Sequence, residues 1–467
     1  MTLNKKILAA AIVGGLFAAN AQAQVNLAAN PAAPVTFASE LAVPTAGLTL
    51  TNVSNALDLT TPLGYSFSEG EVRFVRIECA SNIRFATGSG VTTNSGALVG
   101  AINGLGTNAI TFSITGAAGN PSPTNGATTI TVGGNRTITS TAGGDCTYGL
   151  YDQPSQAQAG GTAGRIATRT GAYIQFRTSF TLTATPVGAV ANVEATPSFS
   201  RFLSAAPTNS VGTGSLGVVT FALRTPAPLI ANGTAVTLAT VLGAASNHTI
   251  AGDFANAANA DGTFTGTALT RVFFAPNADC TGTPINASVV TATSARFDTG
   301  ATAVPGLSLC YAPRSGVAIP VSTYAQTFNA VSADPANYSV ASLGPVALGS
   351  ITRNGTSLQA PLVQVPTGWL SRVVLTNTGS VARPYTISAQ TEAGTTAVAG
   401  TAATGTVPAN GTLVLSTTDI ATFTGQPRGT LNVTVAGPTN DIQGLYQIVN
   451  PASGSISNHV MVRPGSN

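Results

Sequence analysis

Charged residues are the scarcest class in this sequence. Asp, Glu, Lys and Arg make up 7% of its 467 residues, against about 25% in an ordinary globular protein. Both lysines, Lys5 and Lys6, sit at the N-terminus, and the remainder sets 17 arginines against 16 acids. That balance excludes the basic stripe of a nucleic-acid binder and leaves no net field to steer a charged partner. Histidine occurs twice and tryptophan once. Past the N-terminus no run is apolar enough to span a membrane as a helix. An outer-membrane barrel would need an apolar band with aromatic girdles, and 18 Phe, 9 Tyr and one Trp are few for that.

What is present is a large apolar fraction, 43%, among Thr, Ser, Asn and Gly. This is enough to build cores, and the length suits roughly three domains of about 150 residues. A chain of this size with so little net charge is expected to associate with itself. The N-terminus has the form of an export signal: Lys5-Lys6, the apolar run from Ile7 to Ala19, then Ala21-Gln22-Ala23 as a cleavage site. The mature chain is expected to begin near Gln24. In an exported protein the four cysteines, Cys79, Cys146, Cys280 and Cys310, read as two disulfides. Of the three pairings, Cys79–Cys146 with Cys280–Cys310 keeps each bridge inside one domain.

Period-two alternation dominates, and the fold class is all-β: tandem antiparallel β-sandwich (Ig-like) domains. Ile174, Phe176, Thr178, Phe180, Leu182 and Ala184 share one face of an expected strand over 173–184. Leu431, Val433 and Val435 alternate with Thr430, Asn432 and Thr434. In Glu71–Cys79 the apolar phase switches, which predicts a bulge near Phe74–Val75. Asn410-Gly411 predicts a hairpin turn, and Ser416 with Asp419 a short capped turn of helix. The expected division is a signal peptide over 1–23 and domains over 24–190, 191–348 and 349–467. A faint repeat links the segment after Cys146 to the segment after Cys310-Tyr311.

Catalytic chemistry finds little support. A Ser-His-Asp triad needs a histidine beside a nucleophile. His248 reads as a loop or edge residue and His459 as part of the last strand. Glu69 and Glu71 read as a solvated strand end rather than a glycosidase pair. Gly212-Thr213-Gly214-Ser215-Leu216-Gly217 matches a dinucleotide motif but leads into a strand pattern, where no helix N-terminus could hold a phosphate. No catalytic, cofactor or metal residue is assigned. Calcium is the one open candidate, through Asp253, Asp261 and Asp279 in Gly/Asn/Ala-rich segments; Asp also favours such turns for local reasons. Trp369 is expected in a core or between domains, and in a carbohydrate-binding adhesin it would be the aromatic platform. Arg73, Arg76 and Arg84 could meet lipopolysaccharide phosphate, or pair with Glu71 and Glu78.

The most distinctive segments are Ser68-Glu69-Gly70-Glu71-Val72-Arg73-Phe74-Val75-Arg76 and the run from Gly368 to Gly379. Tyr446–Pro451 and Asn458-His459-Val460 add to them. With the export signal and the lysine-free, Thr/Ala/Gly-rich mature chain, the sequence resembles the surface-layer proteins of β-proteobacteria of the Comamonas and Delftia type. The resemblance implies an exported subunit whose partner is itself, tiling the outer surface of a Gram-negative cell as a two-dimensional lattice. It transfers no functional residue.

Overall fold

The alternating pattern folds into strands throughout. The computed structural model describes residues 24–29, 31–117, 124–204 and 210–463, and the expected export signal lies outside them. Among the described residues strands take up 49% and helix 6%, none of it long.

The first core is built on a six-stranded sheet. It contains β1 (Val35–Ala38), β2 (Val72–Cys79), β3 (Ala109–Thr115), β4 (Gly144–Tyr151) and β5 (Arg165–Arg177), in the order β1-β5-β4-β2-β3, with Leu98–Val99 outside β3. β1 joins β5 in parallel, a departure from the antiparallel expectation. In β2, Val75, Ile77 and Cys79 are buried, and pairing with both neighbours runs without a shift. No bulge is present. Phe74 is apolar for another reason: its face of the strand packs against helix α1 (Pro154–Ala159), whose end also receives bonds from Arg76 to the carbonyls of Ala157 and Gln158.

Arg136 lies fully buried in this core. Its guanidinium donates to the carbonyls of Gly134, Asn135, Val132 and Leu57 at 2.7–3.3 Å. It also lies over the rings of Phe85 and Tyr173, 4.8 and 5.6 Å from their centroids. Tyr173 Oη donates to the same Leu57 carbonyl. No carboxylate pairs with Arg136 in the ion pairs of the described residues.

The expected strand over 173–184 is two strands. β5 ends at Arg177, and β6 (Phe180–Pro186) belongs to a different sheet. Ile174 contributes to the first core and Phe180 to the second. At the crossing, buried Glu40 accepts from Ser179 twice, from its N–H and its hydroxyl, both at 2.8 Å.

The second core lies between two sheets. β7 (Gly188–Ala191), β8 (Gly214–Leu223), β9 (Asn247–Ala251), β10 (Val272–Ala275), β11 (Val304–Tyr311), β12 (Ser322–Asn329) and β13 (Leu343–Arg353) supply most of both. One runs β6-β8-β11-β10, and the other includes β7-β13-β12-β9. Phe221 stacks on Phe328 with centroids 4.1 Å apart, and Phe274 meets Phe297 at 4.3 Å. The faint repeat does not carry into topology. β4 and β5 are paired neighbours, whereas β11 and β12 lie in different sheets.

Asn354 follows β13. Its Oδ1 accepts from Val193 N–H at 2.6 Å, and its own N–H donates to Ala191. The third core then forms between β14 (Thr356–Gln364), β15 (Leu370–Asn377), β16 (Arg383–Gln390), β17 (Thr404–Val407), β18 (Gly411–Ser416), β19 (Arg428–Val435), β20 (Ile442–Asn450) and β21 (Ser455–Val460). The sheets are β14-β19-β16-β17 and β18-β15-β20-β21. Asn410 takes the positive φ (46°) its turn requires, but the turn joins strands of opposite sheets and is not a hairpin. The helical turn Thr417–Ile420 forms without the expected Ser416 cap bond.

Bridges join Cys79 to Cys146, directly opposite each other on β2 and β4, and Cys280 to Cys310. In the chain-entropy account, closing loops of 67 and 30 residues stabilises each unit by about 4 kcal/mol.

Removing the buried guanidinium strands several carbonyls in an apolar core. Arg136→Ala is expected to destabilise the first unit by about 3–5 kcal/mol, and Arg136→Lys to recover only part of that, having fewer donors. Hydrogen exchange on β2 and β4 against denaturant reads this directly; wild-type protection in Arg136→Ala would contradict it.

Candidate assembly surface

The residues with chemical potential are dispersed, and most meet only local partners. His248 is neither a loop nor an edge residue. It is fully buried on β9, among Phe221, Phe274 and Phe328. Gln326 Nε2 donates to its Nδ1 at 2.6 Å, which leaves the ring proton on Nε2, a buried atom with no hydrogen-bond partner among the described residues. Desolvation lowers its pKa from 6.5 to about 4. His459 lies on β21, with Nε2 2.9 Å from Ser457 Oγ and its ring 6.2 Å from Tyr446. Ser457 and His459 thus meet, but on one exposed strand and with no acid in that contact to orient the base.

Asp253, Asp261 and Asp279 each close their own turn, accepting from Ala255, Thr263 and Thr281. Among the described residues no group of His, Cys, Asp or Glu is gathered as a metal site. The Thr263 bonds hold Asp261, and the Thr281 bonds Asp279, below the usual carboxylate range. Glu71 is held low in the same way, first by Ser68 N–H. It pairs with Arg73 at 2.6 Å, while Arg76 pairs with Glu78 at 2.9 Å. Arg84 stands apart on the short strand Ile83–Phe85, and Glu69 is exposed in the turn before β2. The Gly212–Gly217 run does enter a strand, β8. Trp369 is not in a core: it ends the turn begun by Pro366 and is 38% exposed.

Exposed apolar side chains gather instead on the third unit. In β15, Ser371, Val373, Leu375 and Asn377 are buried, so Leu370, Arg372, Val374 and Thr376 form the outer face. The strand registers align these with their neighbours. Val414, Val374, Leu445 and Val460 make one apolar row across all four strands. Leu370, Val449 and Ile456 make a second. Between them runs a polar row, Ser416, Arg372, Gln447 and Asn458. Val460 is 78% exposed, Ile456 60% and Val414 55%.

The rows end at β21, whose six residues are all exposed. Among the described residues several other sheet ends are strands of only two residues, such as Leu98–Val99, Ile285–Asn286 and Val289–Val290, a usual protection against edge pairing. A cleft of about 280 Å³ lies beside β21, lined by Ala360, Pro361, Leu362, Tyr446, Ile448 and His459 among others. Ile456, Asn458 and Val460 were not singled out individually from the sequence. Their signal was the alternation Ile456, Asn458, Val460 against Ser455, Ser457, His459.

A family model described as S-layer protein Slr4 matches residues 19–451. The chain belongs to this S-layer family. No curated protein matches the sequence. Membership of the Slr4 family makes the chain a surface-layer structural protein of the extracellular cell surface, and an exposed sheet face with two apolar rows is a surface suited to that role. β21 lies just beyond the matched residues.

The neutral state of His248 has a testable consequence. Unfolded, the ring binds a proton below about pH 6.5; folded, only below about pH 4. Stability from this group is therefore complete above pH 6.5 and lost as pH falls toward 4, by roughly 3 kcal/mol. Hydrogen exchange on β8 and β12 between pH 7 and 4.5 is expected to show this loss, and His248→Leu to flatten it. An unchanged slope in that variant would refute the assignment.

Proposed function

We propose that this protein is an exported subunit that assembles with copies of itself into a two-dimensional layer on a Gram-negative cell of the Comamonas–Delftia type. The observation that carries this reading is the S-layer family match over most of the chain. Low charge supports it too, because faces with few ions can meet with little desolvation cost. The proposal includes export by the N-terminal signal and three tandem domains. Three separate cores support that division, with the first crossing at Thr178–Ser179 rather than near 190.

The role is structural and not enzymatic. Calcium-dependent assembly belongs to the proposal as a condition to test. Lipopolysaccharide is the proposed outer-membrane contact; the carboxylate partners of Arg73 and Arg76 argue against those two as its phosphate ligands. A second reading, a carbohydrate-binding adhesin, is favoured only by the exposure of Trp369.

Negative-stain electron microscopy of the purified mature chain, with and without millimolar calcium, is expected to show ordered sheets or tubes. Dispersed particles under every condition would overturn the assembly reading. Glycan binding lost in Trp369→Ala would then favour the adhesin.

A further inference from the structure

We propose that β21 is a two-fold docking edge, on which a second copy of this chain adds its own β21 antiparallel, centred on Asn458. The inference rests on the assembly reading and specifies one of its contacts.

The backbone sets the chemistry. Met461 N–H donates inward to Gly444, so in an antiparallel pair residues of its parity, Ser457 and His459, bond toward β20. Ile456, Asn458, Val460 and Val462 therefore direct N–H and C=O outward. Val462 uses both on Gln359 of β14, at 2.7 and 2.9 Å. That seam cannot continue. The next β14 residue in phase is Pro361, which has no N–H, and β14 shifts register between Ala360 and Val363. Among the described residues nothing pairs the outward groups of Ile456, Asn458 and Val460. The interruption also opens the apolar cleft beside the strand.

Self-complementarity selects the occupant. In an antiparallel pair centred on Asn458, Asn458 faces its own copy and Ile456 faces Val460 of the other chain, twice. The registers then carry each apolar row across the junction. Val414, Val374, Leu445 and Val460 meet Ile456, Val449 and Leu370 of the second copy. The polar row meets its own image through Asn458. No charged side chain lies on β21 or lines the cleft, so two identical edges meet without like charges opposed. Strand addition of this kind takes its affinity from main-chain bonds and its specificity from alternate side chains, and a two-fold contact is closed and isologous.

Cysteine cross-linking tests the register. All four native cysteines are bridged, leaving no free thiol. A hydrogen-bonded antiparallel pair sets Cα atoms about 5.5 Å apart, within disulfide range. Oxidised Asn458→Cys is expected to become mainly covalent dimer. Ile456→Cys alone and Val460→Cys alone should stay monomeric, whereas a mixture of the two should cross-link. Dimer from Asn458→Cys at or below the level of the single controls would overturn the proposal.

Asn458→Pro provides the second arm, removing an outward N–H that no strand of the same copy uses. It is expected to keep wild-type thermal stability and lose ordered sheets. Sheets from Asn458→Pro equal to wild type would refute the edge contact and leave the surface-layer reading standing. Absence of wild-type sheets under all conditions would instead refute that reading, while the cross-linking pattern would still judge the edge. Cell retention lost in Asn458→Pro without any Asn458→Cys dimer would assign the edge to a different partner and reject the two-fold pair.

Discussion

With only 7% of its residues charged, this chain must satisfy its polar groups almost entirely with backbone and neutral side chains, and much of the architecture follows from that constraint. Buried polar groups are costly unless bonded. Arg136 is therefore balanced by carbonyl oxygens and two ring faces rather than by a carboxylate. Glu40 is held by the N–H and hydroxyl of one serine. Asn354 ties the start of the third unit to Ala191 and Val193. Each device fixes a place where the chain would otherwise have freedom: a core, a crossing and a junction.

The same scarcity governs the surface. Proteins usually guard sheet edges with lysine, proline or very short strands. Beyond Lys5 and Lys6 this chain has no lysine, so shortness and proline carry the task. Two-residue strands end several sheets, and Pro361 interrupts β14. β21 has neither protection. In an ordinary soluble protein that would be a hazard; in a member of an S-layer family it is the edge proposed for lateral contact.

Alternation was legible wherever one face meets a core and the other meets water, as in β19 with Leu431, Val433 and Val435. It misled where two different cores happened to share a phase. The even-numbered residues from Ile174 to Ala184 keep one apolar rhythm across the break at Thr178–Ser179, and nothing local marks the change of sheet. It misled again at Phe74, where α1 covers the second face of β2. His248 was a missed signal of a different kind. His248 and Ile250 alternate with Asn247 and Thr249, so strand parity put the ring inward, while its polar neighbours suggested a loop. Trp369 was placed by residue type, yet Pro366 and Gly368 build a turn that holds it at the surface. Of the candidate surface, the strand was readable but the rows were not, since they depend on registers among four strands distant in sequence.

The crossing at Glu40 also has a mechanical meaning. Only Thr178 and Ser179 separate β5 from β6, and Glu40, from a segment far upstream, grips Ser179 there, so the first two units form a stiff splice with no slack to draw out. Between β13 and β14 the chain has only Asn354 and Gly355, held by the Asn354 bonds to Ala191, Asn192 and Val193, with Glu194 accepting from Thr439 N–H and Ala436 packed on the second core as further ties. Tension applied at the third unit would thus reach the others through this small set of polar contacts. That short junction is where an extended assembly of such subunits would bend, between the second and third units, while the first two move together.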